Sequence, residues 1–138
     1  MKLLAYEVDK RSFLGVLNED ETWVYPVAAA GMEYRSMKDL IREAGPSEME
    51  MLDYISKKAP GDVTGAAPVE EIRIVSPIPE PDQDIICLGI NYMDHAAESA
   101  RFQKEEFARP EKAIYFSKRV NRTNDPDGII PAHKNLTN

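Results

Sequence analysis

Near the start of the chain, apolar residues come in short runs broken by polar ones: Leu3 to Val8, Phe13 to Leu17 and Trp23 to Val27. The acidic stretch Asn18-Glu19-Asp20-Glu21 separates the last two runs. Short alternating runs divided by turn residues predict a small antiparallel meander. The period then changes. Met37, Leu40, Ile41 and Ala44 recur at helical spacing behind Ser36, whose hydroxyl is placed to cap the first turn with Asp39 three residues on, and Gly45 stops the element. A second predicted helix has Ser47 and Glu50 as its capping pair, Met49, Leu52 and Ile55 as its apolar stripe, and Pro60-Gly61 as its stop.

Between residues 62 and 68 the chain is rich in Gly, Ala and Thr. A predicted strand, Ile72 to Val75, then leads into Ser76-Pro77-Ile78-Pro79-Glu80-Pro81-Asp82, where the prolines favour an extended, stiff connection. The boundary between two structural units is placed here, with a small N-terminal αβ domain at 1–72 and a second unit at 73–138. That second unit opens on Asp84 and the apolar run Ile85 to Ile90, the pattern of a strand buried on both faces, with Cys87 as a core residue. Alanines and charges from Met93 to Phe102 predict a helix, and Ala113 to Ser117 another strand. From Lys118 to Gly128 the chain is polar and carries the turn signal Asp125-Pro126-Asp127-Gly128. The fold class is α+β with strands dominant.

Composition narrows the function classes. Seventeen Lys and Arg against 24 Asp and Glu give a formal charge of -7, which repels phosphate backbones, so nucleic acid is not an expected partner. The apolar runs are far shorter than the roughly 20 residues a bilayer-spanning helix needs, and no membrane segment is expected. One cysteine forms no internal disulfide, which leaves the cytoplasm as the expected location.

Candidate chemistry concentrates in one place. His95 and Glu98 stand three apart on the predicted helix and project from one face. A carboxylate bonded to one imidazole nitrogen fixes the tautomer and raises the basicity of the other, as a general base requires. Spacing alone favours the plainer alternative, a solvated pair on a surface helix. Glu48-Met49-Glu50 and Asp82-Gln83-Asp84 each lack a third converging oxygen, so neither is assigned to metal. His133 lies in a polar tail with no partner at ligand spacing and is expected to be exposed.

The run Cys87-Leu88-Gly89-Ile90-Asn91-Tyr92-Met93-Asp94-His95-Ala96-Ala97-Glu98 resembles the motif of the fumarylacetoacetate hydrolase family: an apolar strand ending in Gly, then Asn-Tyr, two residues, His, and Glu three later. The order of segments around it agrees, with Pro77-Ile78-Pro79 before, Lys112 to Lys118 after, and Asp125 to Pro131 further on. The likeness is specific from about residue 72 to 131. It implies that the second unit is the first part of a rolled β-sheet. It also implies a Mg2+- or Mn2+-assisted hydrolase, decarboxylase or isomerase acting on a small acylpyruvate-like 2-oxo acid, as part of a homodimer or with a complementing chain. By the same resemblance His95 and Glu98 are catalytic, the first activating water and the second orienting it, on a helix acting as a lid. Asn91, Tyr92 and Lys118 contact substrate, a solvated lysine at a strand end being the alternative for Lys118. The family's metal ligands, a Glu-x-Glu pair and a distant Asp, have no counterpart in this sequence, so the resemblance implies a catalytically incomplete, truncated chain. The alternative is a non-catalytic binding or assembly module that pairs with another chain.

Overall fold

The computed structural model describes residues 1–89 and 112–132, which form two compact units, one of residues 1–79 with 123 onward and one of residues 80–122. In the first unit, β1 (Leu3–Val8), β2 (Arg11–Leu17), β3 (Trp23–Pro26), β4 (Ala67–Pro68) and β5 (Arg73–Val75) make an antiparallel sheet in the order β4-β3-β2-β1-β5. The sheet curls as a half-barrel. Two helices, α1 (Met37–Glu43) and α2 (Pro46–Ser56), interrupt the strand order between β3 and β4.

Turn chemistry sets the register of the meander. Val8 pairs with Arg11, and the two residues between them, Asp9 and Lys10, both have positive φ, at 50° and 63°. That is the backbone of a primed two-residue hairpin, whose twist matches the strands it joins. The β2–β3 connection is built on one side chain: Asn18 Oδ1 accepts from the backbone N–H groups of Thr22 (3.0 Å) and Trp23 (2.9 Å). An Asn carbonyl held this way satisfies turn donors that would otherwise be unpaired.

Both faces of the sheet bury apolar side chains. On one side Val16, Tyr25, Val27, Met37, Leu40, Leu52, Ile55 and Val63 form a buried cluster that joins β2 and β3 to both helices. Strand alternation sends Val24 the other way, to pack with Leu4 and Tyr6. Tyr25 is fully buried, and its hydroxyl donates to the Lys58 carbonyl at 2.8 Å, so its polar end is satisfied. Gly15 makes the second cluster feasible, because a Cβ there would stand 2.4 Å from Val24 Cγ2 and 2.8 Å from Tyr6 Cε1.

The first helix begins as its sequence predicts: Ser36 Oγ accepts the Asp39 N–H at 3.1 Å and donates to the Asp39 carboxylate at 2.9 Å. The second begins two residues before the expected Ser47. Its cap is Gly45, whose N–H donates to Glu48 Oε2 at 3.1 Å, and Pro46 holds the first helical position. Proline's fixed φ and missing N–H suit that position, which explains why Gly45-Pro46 outweighs Ser47. Strand β4 was not foreseen; two residues are too few to carry a period.

In the second unit β6 (Ile85–Leu88) pairs antiparallel with β7 (Tyr115–Lys118). The expectation of a strand buried on both faces is corrected here. Ile86 is 71% exposed, Ile85 and Leu88 are exposed as well, and Cys87 is half-buried rather than a core residue. Among the described residues β6 has one neighbouring strand, and an apolar run shows that a strand can be covered without showing what covers it.

Candidate functional site

Strand β6 leads directly into the candidate motif. Gly89, just past its end, donates its N–H to the Ile114 carbonyl at 2.7 Å, so the ribbon pairing continues to the last residue described before Asn91. A Cβ on Gly89 would come within 3.3 Å of that carbonyl, a close approach that a residue without a side chain eases. Asn91, Tyr92, His95 and Glu98 lie outside the described residues, as does His133. Lys118 is described and exposed. It pairs with Ile85, whereas Tyr115 pairs with Leu88. At about 3.4 Å per residue, Lys118 therefore stands about 10 Å along the ribbon from the end where the motif begins. Residues that pair directly share a face, so Lys118 projects on the side of Ile85, Cys87 and Phe116.

A second concentration of polar groups lies in the first unit, around β5 and the Asp125-Pro126-Asp127-Gly128 turn. Gly128 closes the turn by donating to the Asp125 carbonyl at 2.9 Å. The Asp125 side chain takes the Ser76 backbone N–H on one oxygen (2.9 Å) and Arg73 Nη2 on the other (2.6 Å), and Arg73 Nη1 reaches Glu7 at 2.8 Å. Ser76 is buried and its hydroxyl bonds that of Thr123. Thr123 Oγ1 donates onward to the Ile78 carbonyl at 2.8 Å, so the proton between the two hydroxyls comes from Ser76. The Thr123 N–H donates to the Pro79 carbonyl at 2.9 Å. Beside this network is an open groove of about 420 Å3, lined by Ile72, Arg73, Ile74, Asp125 and Pro126 among others. Arg73 already serves two carboxylates there. Sequence reasoning read Asp125 as a turn residue and assigned Ser76 and Thr123 nothing. Their partners in this network lie 44 to 52 residues away, beyond any local pattern.

No family model matches the chain. A curated relative does: oxaloacetate tautomerase YisK of Bacillus subtilis is 32% identical over 147 aligned positions, which take in 99% of this chain and 47% of that protein. The alignment therefore covers both the motif and the N-terminal residues for which the motif says nothing. The chain is a partial member of the fumarylacetoacetate hydrolase family. It spans about half the length of the relative it matches.

The family implies a divalent metal, and the described residues do not fit one. Among them no group of three or more His, Cys, Asp or Glu side chains converges. The side chain of Glu48 caps α2, and that of Asp125 is held by Arg73 and the Ser76 N–H. Hard cations require several oxygens at one point, and these carboxylates are engaged singly elsewhere. No described helix is long and apolar enough to cross a membrane.

Proposed function

We propose that the chain belongs to an enzyme that moves a proton on a small 2-oxo acid, with His95 as general base and Glu98 as the carboxylate that orients it. One observation carries the reading: the Gly-x-Asn-Tyr-x-x-His-x-x-Glu run occurs in a chain aligned over 99% of its length with an oxaloacetate tautomerase. In keto–enol conversion His95 takes a proton from the carbon next to the 2-oxo group, the electron pair moves to the carbonyl oxygen, and that oxygen is protonated to give the enol. Asn91 and Tyr92 hold the substrate, and Lys118 pairs with a substrate carboxylate. No step is assigned to a metal, since the described residues supply no site for Mg2+ or Mn2+.

The test is the rate of oxaloacetate keto–enol equilibration, followed by ultraviolet absorbance of the enol with the full chain present. Acceleration that falls by about 10²- to 10⁴-fold in His95→Ala, the usual contribution of a positioned base, supports the reading. A rate equal to buffer, or equal in the variant, overturns it.

A specific observation also favours the assembly reading. Ile85, Ile86, Leu88, Ile114, Tyr115 and Phe116 are all exposed on the ribbon. An apolar surface of this kind marks a site where another polypeptide is received. A second copy of the chain, or a chain completing the sheet, would cover it. Light scattering of the purified chain distinguishes a monomer from a dimer.

A further inference from the structure

The chain leaves the first unit after Pro79 and rejoins it at Thr123. The polar network around Ser76, Thr123 and Asp125 lies at these two crossings, entirely within the first unit. Thr123 donates its N–H to Pro79 and its hydroxyl to Ile78, so the returning strand is tied to the departing one at two successive residues. Ser76 adds a third tie through its buried hydroxyl, and Asp125 a fourth by taking the Ser76 N–H. Arg73 then fixes the Asp125 carboxylate from β5, and Glu7 on β1 fixes Arg73. The bonds run unbroken from the sheet to the neck of the excursion.

We infer that Thr123, Ser76 and Asp125 are positioning residues that close the neck of residues 80–122, the segment that carries the proposed base. The inference rests on the proposed function for what the closed neck serves, not for the closure itself. Joining the two ends of a long excursion removes the freedom its base would have as two separate strands. A hydroxyl that both accepts from Ser76 and donates to Ile78 does this at one atom, and a methyl group of the same shape cannot. Arg73 and Glu7 are more exposed, and water competes for their ion pairs, so the closure depends first on the hydroxyls of buried Ser76 and half-buried Thr123.

The experiment compares Thr123→Val with Thr123→Ser in the full chain. Spin labels are placed at Glu80→Cys and Arg122→Cys, with Cys87→Ser removing the native thiol, and the distance distribution across the neck is measured. A narrow distribution with native Thr123 and with Thr123→Ser, broadened in Thr123→Val, supports the inference. A distribution already broad with native Thr123, or unchanged in Thr123→Val, overturns it. If Thr123→Val does not fold, Ser76→Ala, which removes one hydroxyl and leaves the bond to Ile78, broadens the neck if the inference holds and leaves it unchanged if it does not. The unlabelled variants are also assayed for keto–enol conversion. Misplacement of a base by an ångström can cost about a hundredfold, so kcat in Thr123→Val should fall by roughly ten- to a hundredfold with KM little changed, and Thr123→Ser should restore it. An open neck with kcat unchanged overturns the positioning role. No conversion with native Thr123 overturns the proposed function, and the neck distances still decide the inference about closure.

Discussion

The five-stranded sheet and the two-stranded ribbon draw on the same kinds of apolar residue, but only the sheet buries them. Val16, Val24, Tyr25 and Leu52 are fully covered, whereas Ile86 and Tyr115 are 71% and 67% exposed. The difference is one of layers. The sheet packs helices on one face and a smaller cluster around Leu4, Tyr6 and Val24 on the other, while the ribbon pairs two strands and has no second layer among the described residues. An isolated two-stranded hairpin is marginal in water, and three strands or a packed face are what make a sheet stable. Stability in this molecule should therefore reside in the first unit.

The largest expected effect breaks that unit. Leu52 on α2 is fully buried in the cluster that joins both helices to β2 and β3, so Leu52→Ala removes transfer energy and leaves a cavity. A loss of about 2–5 kcal/mol is expected, read from urea unfolding followed by far-ultraviolet circular dichroism. A loss under about 0.5 kcal/mol, the usual range for a surface change, would mean that the helices are not anchored as described.

Much of the first unit was legible in the sequence because its determinants are local. The three meander strands, the Ser36 cap and the Asp125 turn each depend on residues a few positions apart. The cap of α2 was misread because two start signals overlap, Gly45-Pro46-x-Glu48 and Ser47-x-x-Glu50, and proline's backbone preference decides between them. The exposure of β6 was misread for a different reason: an apolar run reports what a strand can bury, and burial depends on neighbours far along the chain. The same limit applies to the polar groups. Asn91, Tyr92, His95 and Glu98 can be proposed from the sequence because the motif is compact. The network of Ser76, Thr123 and Asp125 is not legible in this way, since its bonds cross 44 residues or more.

A smaller effect sharpens the comparison through pH. Burial raises the Tyr25 phenol above its ordinary value near 10, and the charge of Asp20 adds to the shift. The folded state thus holds this proton more tightly than the unfolded state does. The resulting stability is complete below about pH 10 and is lost as pH rises through the folded value. Tyr25→Phe should flatten the alkaline limb of a stability–pH profile. A slope should remain, because burial raises the Tyr6 phenol as well. At neutral pH the variant should lose about 1 kcal/mol, as the Lys58 carbonyl is left without its donor. An unchanged alkaline limb would place the titration outside the core.

The smallest expected effect on folding is in the ribbon, and there it carries the most information. Ile86→Ser replaces a side chain that is 71% exposed, so the unfolding free energy of the dilute chain should change by less than about 0.5 kcal/mol. Its effect on association should be larger. If the exposed face of β6 and β7 receives a second copy, a polar atom at its most exposed position on β6 faces desolvation on contact, and the dimer should weaken while the monomer stays folded. Unfolding midpoints measured at several protein concentrations separate the cases, because a dimer's midpoint rises with concentration and a monomer's does not. A native midpoint that rises with concentration, together with an Ile86→Ser midpoint that does not, would assign the ribbon to assembly. Midpoints independent of concentration in both would leave the ribbon to a different polypeptide, the chain that completes the sheet. A loss of several kcal/mol in dilute solution would show that the ribbon is as much a part of the folding core as the sheet, and the contrast between the two regions would fail.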